Sequence, residues 1–202
     1  MGGANLVWRL DSSPCPSWAT LRCHGSRASG GGKKDGFVIA VRTWEKPQIY
    51  EGRIGRDILA SGHMAMYRSA FEEIGGFDER LGPGARFPGA EDNDYGFRLL
   101  EAGYRIAYVP EAVLYHRAWR SERDYLRMRW IYGRGKGGFY GKYLSLRDSY
   151  ILRRMAWDIG HRVFGFPLRL WSQPRLAYGD PAYIFGILVG ATQWLLTHRG
   201  TR

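Results

Sequence analysis

Residues 89–116, GAEDNDYGFRLLEAGYRIAYVPEAVLYH, begin with a helical pattern of apolar side chains. On a helix, side chains three and four positions apart share one face. The apolar positions with this spacing are Tyr95, Leu99 and Ala102. Gly103 follows them, where the end of a helix favours a residue that readily adopts a positive φ angle. The stretch therefore predicts an amphipathic helix near residues 92–102.

The second part of the same stretch has the two-residue period of a strand, in which successive side chains point to opposite faces. The alternating apolar residues are Tyr104, Ile106 and Tyr108. Because Pro110 cannot donate a backbone hydrogen bond, we expect the strand to end there and to cover residues 104–109. A short apolar run then leads to His116. Helix and strand together predict a mixed α/β layer over residues 37–116.

Weaker signals precede this stretch. Apolar, β-rich runs at residues 37–41 and 48–54 predict strands. Ser69 and Glu72 match a capping box, which predicts a helix near residues 69–75 with Phe71 and Ile74 facing the core. The glycines at 75 and 76 should end that helix.

An acidic cluster at the start of the predicted 92–102 helix is the first place to look for chemistry. Its members are Glu91, Asp92 and Asp94. A carboxylate in the first helical turn is stabilised by the helix dipole. Beside a flexible glycine loop, such a group can take a proton from an incoming hydroxyl. The alternative is that Asp92 or Asp94 only caps the helix, and a lone histidine such as His116 is more often structural than a ligand.

Two segments resemble the C-terminal half of the catalytic domain of family-two glycosyltransferases, inverting enzymes with a GT-A fold. They are SGHMAMYRSAFEEIGGFDERLG (61–82) and residues 89–116. The shared elements occur in order: a glycine turn, a helix ending in Gly-Gly-Phe-Asp, the Glu-Asp pair, an Arg-Leu pair, a Gly-Tyr turn and a terminal histidine. The resemblance implies a partial GT-A mixed sheet with helices, followed by a mainly helical, basic C-terminal extension.

The same resemblance implies roles for particular residues. Asp92 corresponds to the catalytic base that deprotonates the acceptor hydroxyl. His116 corresponds to the histidine that helps to bind a divalent metal, Mn²⁺ or Mg²⁺, or the donor diphosphate. Support of the donor and acceptor sites would come from Glu91, Gly62, His63, Asp94 and Arg98. The substrates would be a nucleotide sugar and a glycan or lipid-linked acceptor.

The first 36 residues are poorly defined by sequence and contain a Gly-rich linker at 25–36. Residues 10–18, LDSSPCPSW, are similar to a degenerate form of the family's Asp-x-Asp metal motif, with Ser13 in place of the second aspartate. Asp11 is thus a candidate metal ligand, and a Ser/Pro turn is the alternative. The family's nucleotide-binding half is not recognisable in this part of the chain.

Composition favours a folded, basic protein. Lys and Arg outnumber Asp and Glu by 30 to 19, which gives a net charge of +11 and suits phosphates, anionic membranes or nucleic acid. The two cysteines, Cys15 and Cys23, form neither a zinc framework nor a disulfide scaffold, so a reducing compartment is the default. The N-terminus lacks the pattern of a signal peptide. We therefore expect a cytoplasmic protein, peripheral at the inner face of the cell membrane.

The region after His116 is basic and rich in aromatic residues, and it predicts helices with a break at residues 133–141. The apolar run at 182–191 is shorter than the about 20 residues that span a bilayer. It should form a helix that docks on the domain or lies in the membrane interface, with Arg199 and Arg202 near lipid headgroups. The predicted organisation is thus 1–36, a catalytic region 37–118 and an extension 119–202.

Three functions compete at this stage. The first is an inverting sugar transferase with Asp92 as general base. The second is a truncated, non-catalytic module that binds or scaffolds the acceptor. The third is a basic nucleic-acid-binding protein, which is less favoured because only charge and aromatic content support it and no recognition motif is present.

Overall fold

The structure is a computed structural model, and it describes residues 2–8, 36–37, 46–114, 120–144 and 148–198. The chain divides into two compact units that are interleaved in sequence. The first unit comprises Met1–Gly76 and Asp92–Glu122, and the second comprises Phe77–Glu91 and Arg123–Arg202. The division into segments 1–36, 37–118 and 119–202 stays a prediction.

A four-stranded mixed sheet forms the framework of the first unit. Its strands are β1 (Gly2–Trp8), β3 (Gln48–Tyr50), β4 (Met64–Met66) and β5 (Arg105–Leu114), and the pair β2 (Gly36–Phe37) and β6 (Arg120–Ser121) lies apart from it. The order is β3–β5–β1–β4, with β1 parallel to β4 and antiparallel to β5. Strand β3 is antiparallel to β5. The mixed α/β class predicted for this region is confirmed.

Two helices complete the first unit, α1 (Arg68–Ile74) and α2 (Glu91–Glu101). Tyr95 and Leu99 on α2 are fully buried with Ile106 and Tyr108 of β5, as the two periodicities predict. Gly103 joins the two elements with φ +83°, the left-handed conformation expected after a helix. The stretch that dominates the sequence thus forms the core of this unit.

The predicted end of β5 at Pro110 is wrong. The strand continues to Leu114, but its pairing with β1 shifts there: Ala4 lies opposite Val109 and the preceding Gly3 lies opposite Val113. Residues 110–112 therefore form a bulge, because β1 has no residue between Gly3 and Ala4 to pair with them. Because a bulged residue need not donate to the ladder, proline is tolerated at this point without ending the strand.

Smaller expectations also fail at element ends. The residue that precedes α1 is Tyr67, so Ser69 lies inside the helix and makes no capping box. Phe71 is exposed, whereas Ile74 does pack against the core. The strand predicted at 48–54 ends at Tyr50, because the backbone turns at Gly52 with a φ of +63°.

The second unit contains four helices within the described residues: α3 (Tyr125–Tyr143), α4 (Tyr150–Ser172), α5 (Pro174–Ala177) and α6 (Gly179–Thr197). The helical prediction for this region is confirmed, but the break at residues 133–141 is wrong because α3 runs through it. Among the helices of the described ranges, none combines the length and apolar character that crossing a bilayer requires.

Three of the five glycines of α3 persist in a helix because α6 packs directly on them. These three recur every four residues and are Gly133, Gly137 and Gly141. A Cβ atom on Gly137 would lie 2.2 Å from the carbonyl oxygen of Ile187, and one on Gly190 of α6 would lie 2.1 Å from that of Arg134. Small residues at this spacing let two helix backbones touch. Tertiary contact therefore offsets the poor helix propensity of glycine.

Candidate functional site

Asp92 lies in the first turn of α2, as the sequence predicts. The helix begins at Glu91, so neither Asp92 nor Asp94 occupies the N-cap position that precedes a helix. Asp92 is partly buried, and its Oδ1 accepts a hydrogen bond of 2.9 Å from the backbone N–H of Asn93. A partly accessible carboxylate at the positive end of a helix can accept a proton from a bound hydroxyl group.

The loop that leads into α2 is held by helices of the second unit. Phe87 lies with its ring centroid 5.0 Å from that of Trp194 in α6. The same phenylalanine covers Gly138 of α3 so closely that a Cβ atom there would meet its ring at 2.7 Å. The backbone N–H of Gly82 donates to the carbonyl of Phe87 at 3.0 Å. Phe87 therefore packs this loop, which the sequence predicts to be flexible, onto both α3 and α6.

The last residues before α2 have unusual backbone angles. Gly89 has a φ of +109°. A Cβ atom at this position would lie 3.3 Å from the ring of Tyr132. Ala90 is buried and has a φ of +67°, which costs a non-glycine residue about 1 kcal/mol. Glu91 follows, and its side chain packs against Gly82. Strained backbone that persists in a well-packed setting is a feature of functional sites.

An ion-pair cluster anchors the start of the same loop. Asp78 accepts hydrogen bonds of 2.7 Å from the Arg80 guanidinium and 2.7 Å from the Lys142 ammonium of α3. These two cations, Arg80 first, hold the pKa of Asp78 well below its ordinary value of 3.8. Sequence patterns did not single out Asp78, although it belongs to the Gly-Gly-Phe-Asp element of the resemblance.

The lowered pKa predicts that the contribution of Asp78 to stability depends on pH. A carboxyl group with a depressed folded pKa stabilises the fold fully above its unfolded pKa and loses that effect as pH falls towards the folded pKa. We expect Asp78→Asn to cost about 2 kcal/mol of unfolding free energy at pH 7. The difference should shrink below pH 3.8, the ordinary value for this group. Thermal melts of both proteins at pH 7, 5 and 3 measure it, and an equal difference at all three would contradict the assignment.

Asp94 and Arg98 brace the fold of the first unit. Asp94 is fully buried and accepts a hydrogen bond of 3.0 Å from Nε of Arg98. The guanidinium of Arg98 also donates to the carbonyl oxygens of Ile74 at 2.9 Å and Gly76 at 2.7 Å. Arg98 thereby ties α2 to the end of α1. Their role in supporting the donor or acceptor stays a prediction.

Gly62 and His63 lie in a single turn of 3₁₀ helix, Ser61–His63, directly before β4. Gly62 is exposed, and a side chain there would meet open space. The Nδ1 atom of His63 is buried and has no hydrogen-bond partner within the described ranges. A buried ring nitrogen without a partner is costly, so it is a candidate to contact a ligand.

The predicted metal ligands Asp11 and His116 lie outside the described residues, so their roles stay predictions. Within the part of the chain that the structure describes, no group of three His, Cys, Asp or Glu side chains is arranged to hold a metal ion.

The sequence of this chain matches the family described as Glycosyl transferase family group 2 over residues 38–197. Because the match covers most of the chain, the protein belongs to this family of glycosyltransferases. The match includes α3 to α6 as well as α1, α2 and the strands between them. Comparison with solved structures gives no match.

Two relatives from Mycobacterium tuberculosis are similar to part of the chain. N-acetylglucosaminyl-diphospho-decaprenol L-rhamnosyltransferase is 45% identical over 67 residues, which are 33% of this chain and 20% of the relative. Pre-mycofactocin glycosyltransferase is 38% identical over 65 residues, which are 32% of this chain and 13% of the relative. The chain thus matches about a fifth or less of the length of these relatives.

Proposed function

We propose that this glycosyltransferase transfers a sugar from a nucleotide-sugar donor to a glycan or lipid-linked acceptor with inversion at the anomeric carbon. The observation that carries this proposal is the position of Asp92, a partly buried carboxylate in the first turn of α2. The packed loop and strained Ala90 immediately before α2 add support.

The reaction requires one proton transfer and one displacement. The acceptor hydroxyl attacks the anomeric carbon from the face opposite the nucleoside diphosphate. The new C–O bond forms as the bond to the diphosphate oxygen breaks, and the diphosphate leaves with the electron pair. Asp92 accepts the hydroxyl proton, which makes the oxygen a better nucleophile. The base must therefore lie on the acceptor side of the sugar.

A divalent ion, Mn²⁺ or Mg²⁺, would neutralise the charge that develops on the departing diphosphate. Asp11 and His116 are the residues proposed to hold it. His63 supplies a further ring nitrogen for a donor or acceptor oxygen, and Glu91 and Gly62 complete the proposed support of the site.

The proposed acceptor is a sugar carried on a polyprenyl diphosphate in polysaccharide biosynthesis. The support is the name of the rhamnosyltransferase relative, which specifies a decaprenol-linked acceptor. A polyprenyl chain resides in a bilayer, so the enzyme would work as a peripheral protein at the inner face of the cell membrane. The excess of Lys and Arg, 30 against 19 acidic residues, suits an anionic membrane surface.

A transfer assay tests this function. The chain is incubated with a panel of nucleotide sugars, including an activated L-rhamnose, and with N-acetylglucosaminyl-diphospho-polyprenol in vesicles, with and without Mn²⁺. We expect release of nucleoside diphosphate that requires both the acceptor and the metal. To supply the family's nucleotide-binding half, a second protein joins the chain to that half from the rhamnosyltransferase relative. Acceptor binding without any release by either protein would favour the non-catalytic module instead.

A further inference from the structure

Helix α4 has its charged face turned inward. Its docking side chains are separated by four, four and seven positions and are Arg154, Asp158, Arg162 and Arg169. Asp158 accepts a hydrogen bond of 3.0 Å from the hydroxyl of Tyr140 in α3. Arg169 donates at 2.8 Å to Asp180 of α6, a carboxylate that is buried. Helix α4 is therefore held to its neighbours mainly by polar contacts.

Another side of α4 is exposed to solvent and carries four large apolar side chains. Trp157, Phe164, Leu168 and Trp171 are 71%, 86%, 73% and 90% exposed. These four residues, the α4 stripe, are separated by seven, four and three positions, so they lie along one line of the helix surface. Single exposed apolar residues are ordinary, but a continuous aromatic stripe on a soluble surface marks a site of interaction.

The charge of this region of the chain indicates which partner covers the α4 stripe. Arg153 is exposed and lies one helical turn before Trp157, on the same side of α4. Residues 123–202 contain fourteen Lys and Arg and only four Asp, so nearly the whole excess of positive charge belongs to this part of the chain. Exposed aromatic residues on a helix that belongs to a strongly basic region of the chain favour the interface of an anionic membrane. Tryptophan in particular favours the headgroup level.

We propose that the α4 stripe inserts into the headgroup region of an anionic bilayer and that α4 lies parallel to the membrane plane. This inference deepens the proposed function, on which it rests for its biological setting, by naming the surface that meets the membrane. Sequence patterns pointed instead to the apolar run at 182–191. In the structure that run is part of α6. Gly186, Ile187 and Gly190 of α6 are buried in the second unit, so this face of α6 packs against its neighbours.

Vesicle flotation tests the proposal without any sugar substrate. The parent chain should float with vesicles of phosphatidylglycerol and phosphatidylcholine, bind vesicles of phosphatidylcholine alone more weakly, and dissociate partly at high salt. The triple substitution Trp157→Ser, Phe164→Ser and Trp171→Ser should lower the partition coefficient about 100-fold or more. Its unfolding temperature should match that of the parent, since all three side chains are exposed.

A matched control removes exposed apolar side chains elsewhere. Ile49 and Phe71 in the first unit are exposed as well, so Ile49→Ser with Phe71→Ser should float as the parent does. A conservative pair, Trp157→Phe with Trp171→Phe, keeps the apolar stripe. It should retain flotation but lose most of the fluorescence quenching that brominated lipids produce in the parent.

Three outcomes would overturn the proposal. Two of them are a parent chain that does not float with anionic vesicles and a triple variant that floats as well as the parent. The other is a parent that is dimeric by light scattering while the triple variant is monomeric, because a second copy would then cover the stripe. A chain that floats through the stripe but transfers no sugar would contradict the proposed function alone.

Discussion

Asp92→Asn is expected to lower the turnover of sugar transfer by about 10²–10⁴-fold, because it removes the proposed general base and keeps the size of the side chain. The amide oxygen can still accept the hydrogen bond from the backbone N–H of Asn93. We therefore expect the unfolding temperature to stay within the error of the parent's. Turnover is measured as nucleoside diphosphate released in a protein that is active before the substitution.

Two other carboxylates make the comparison informative. Glu72→Gln removes a charge from the exposed pair with Arg68 on α1 and should change neither turnover nor stability. Asp94→Asn should lower the unfolding temperature, because Asp94 is buried against Arg98. If Asp92→Asn transfers sugar at the parent's rate, Asp92 has only a structural role and the mechanism is wrong.

Gly137→Ala is expected to destabilise the second unit by about 3 kcal/mol, because a methyl group there overlaps the backbone of α6. The Cβ atom of the new alanine would lie 2.2 Å from the carbonyl oxygen of Ile187. This oxygen belongs to the backbone, so it moves only if the helices separate. For a chain of this length, such a loss lowers the unfolding temperature by about 6–12 °C. Circular dichroism at 222 nm during heating measures it.

Gly160→Ala is the matched control, because it makes the same change in a helix with space for the methyl group. The nearest atoms to a Cβ on Gly160 are those of Phe164 at 3.9 and 4.0 Å. Alanine is the better helix former by about 1 kcal/mol, so this variant should be as stable as the parent or more stable. Equal unfolding temperatures for Gly137→Ala and the parent would show that α3 and α6 do not pack through these glycines.

The part of the fold that sequence predicts best is the part where burial alternates regularly. Helix α2 and strand β5 each present one apolar face, so Leu99 and Ile106 identify the core without any tertiary information. The turn at Gly103 follows from the conformational freedom of glycine. The family resemblance adds the order of the elements, which periodicity alone does not provide.

Features that depend on a distant partner are the ones that sequence misses. Residues 133–141 look like a helix break because glycine has poor helix propensity, and tertiary packing against α6 and the loop at Phe87 offsets that propensity. The spacing of Gly133, Gly137 and Gly141 did carry a signal, since glycines four residues apart are typical of close helix pairs. The continuation of β5 past Pro110 depends on its pairing with β1.

The candidate site is predictable in one respect and not in another. The start of α2 places Asp92 in the first turn, as its sequence pattern predicts. By contrast, the ion pair between Asp78 and Lys142 joins residues 64 positions apart, and no local pattern contains it. Asp11 and His116 lie outside the described residues, so their roles stay predictions.

The most direct measurement is the anomeric configuration of the sugar in the product of the transfer assay, determined by proton NMR. A base on the acceptor side permits a single displacement, so we predict that the configuration is opposite to that of the nucleotide sugar. A product that retains the donor's configuration would require two displacements or attack from the leaving-group face. Retention would therefore contradict the assignment of Asp92 as the general base of an inverting transfer.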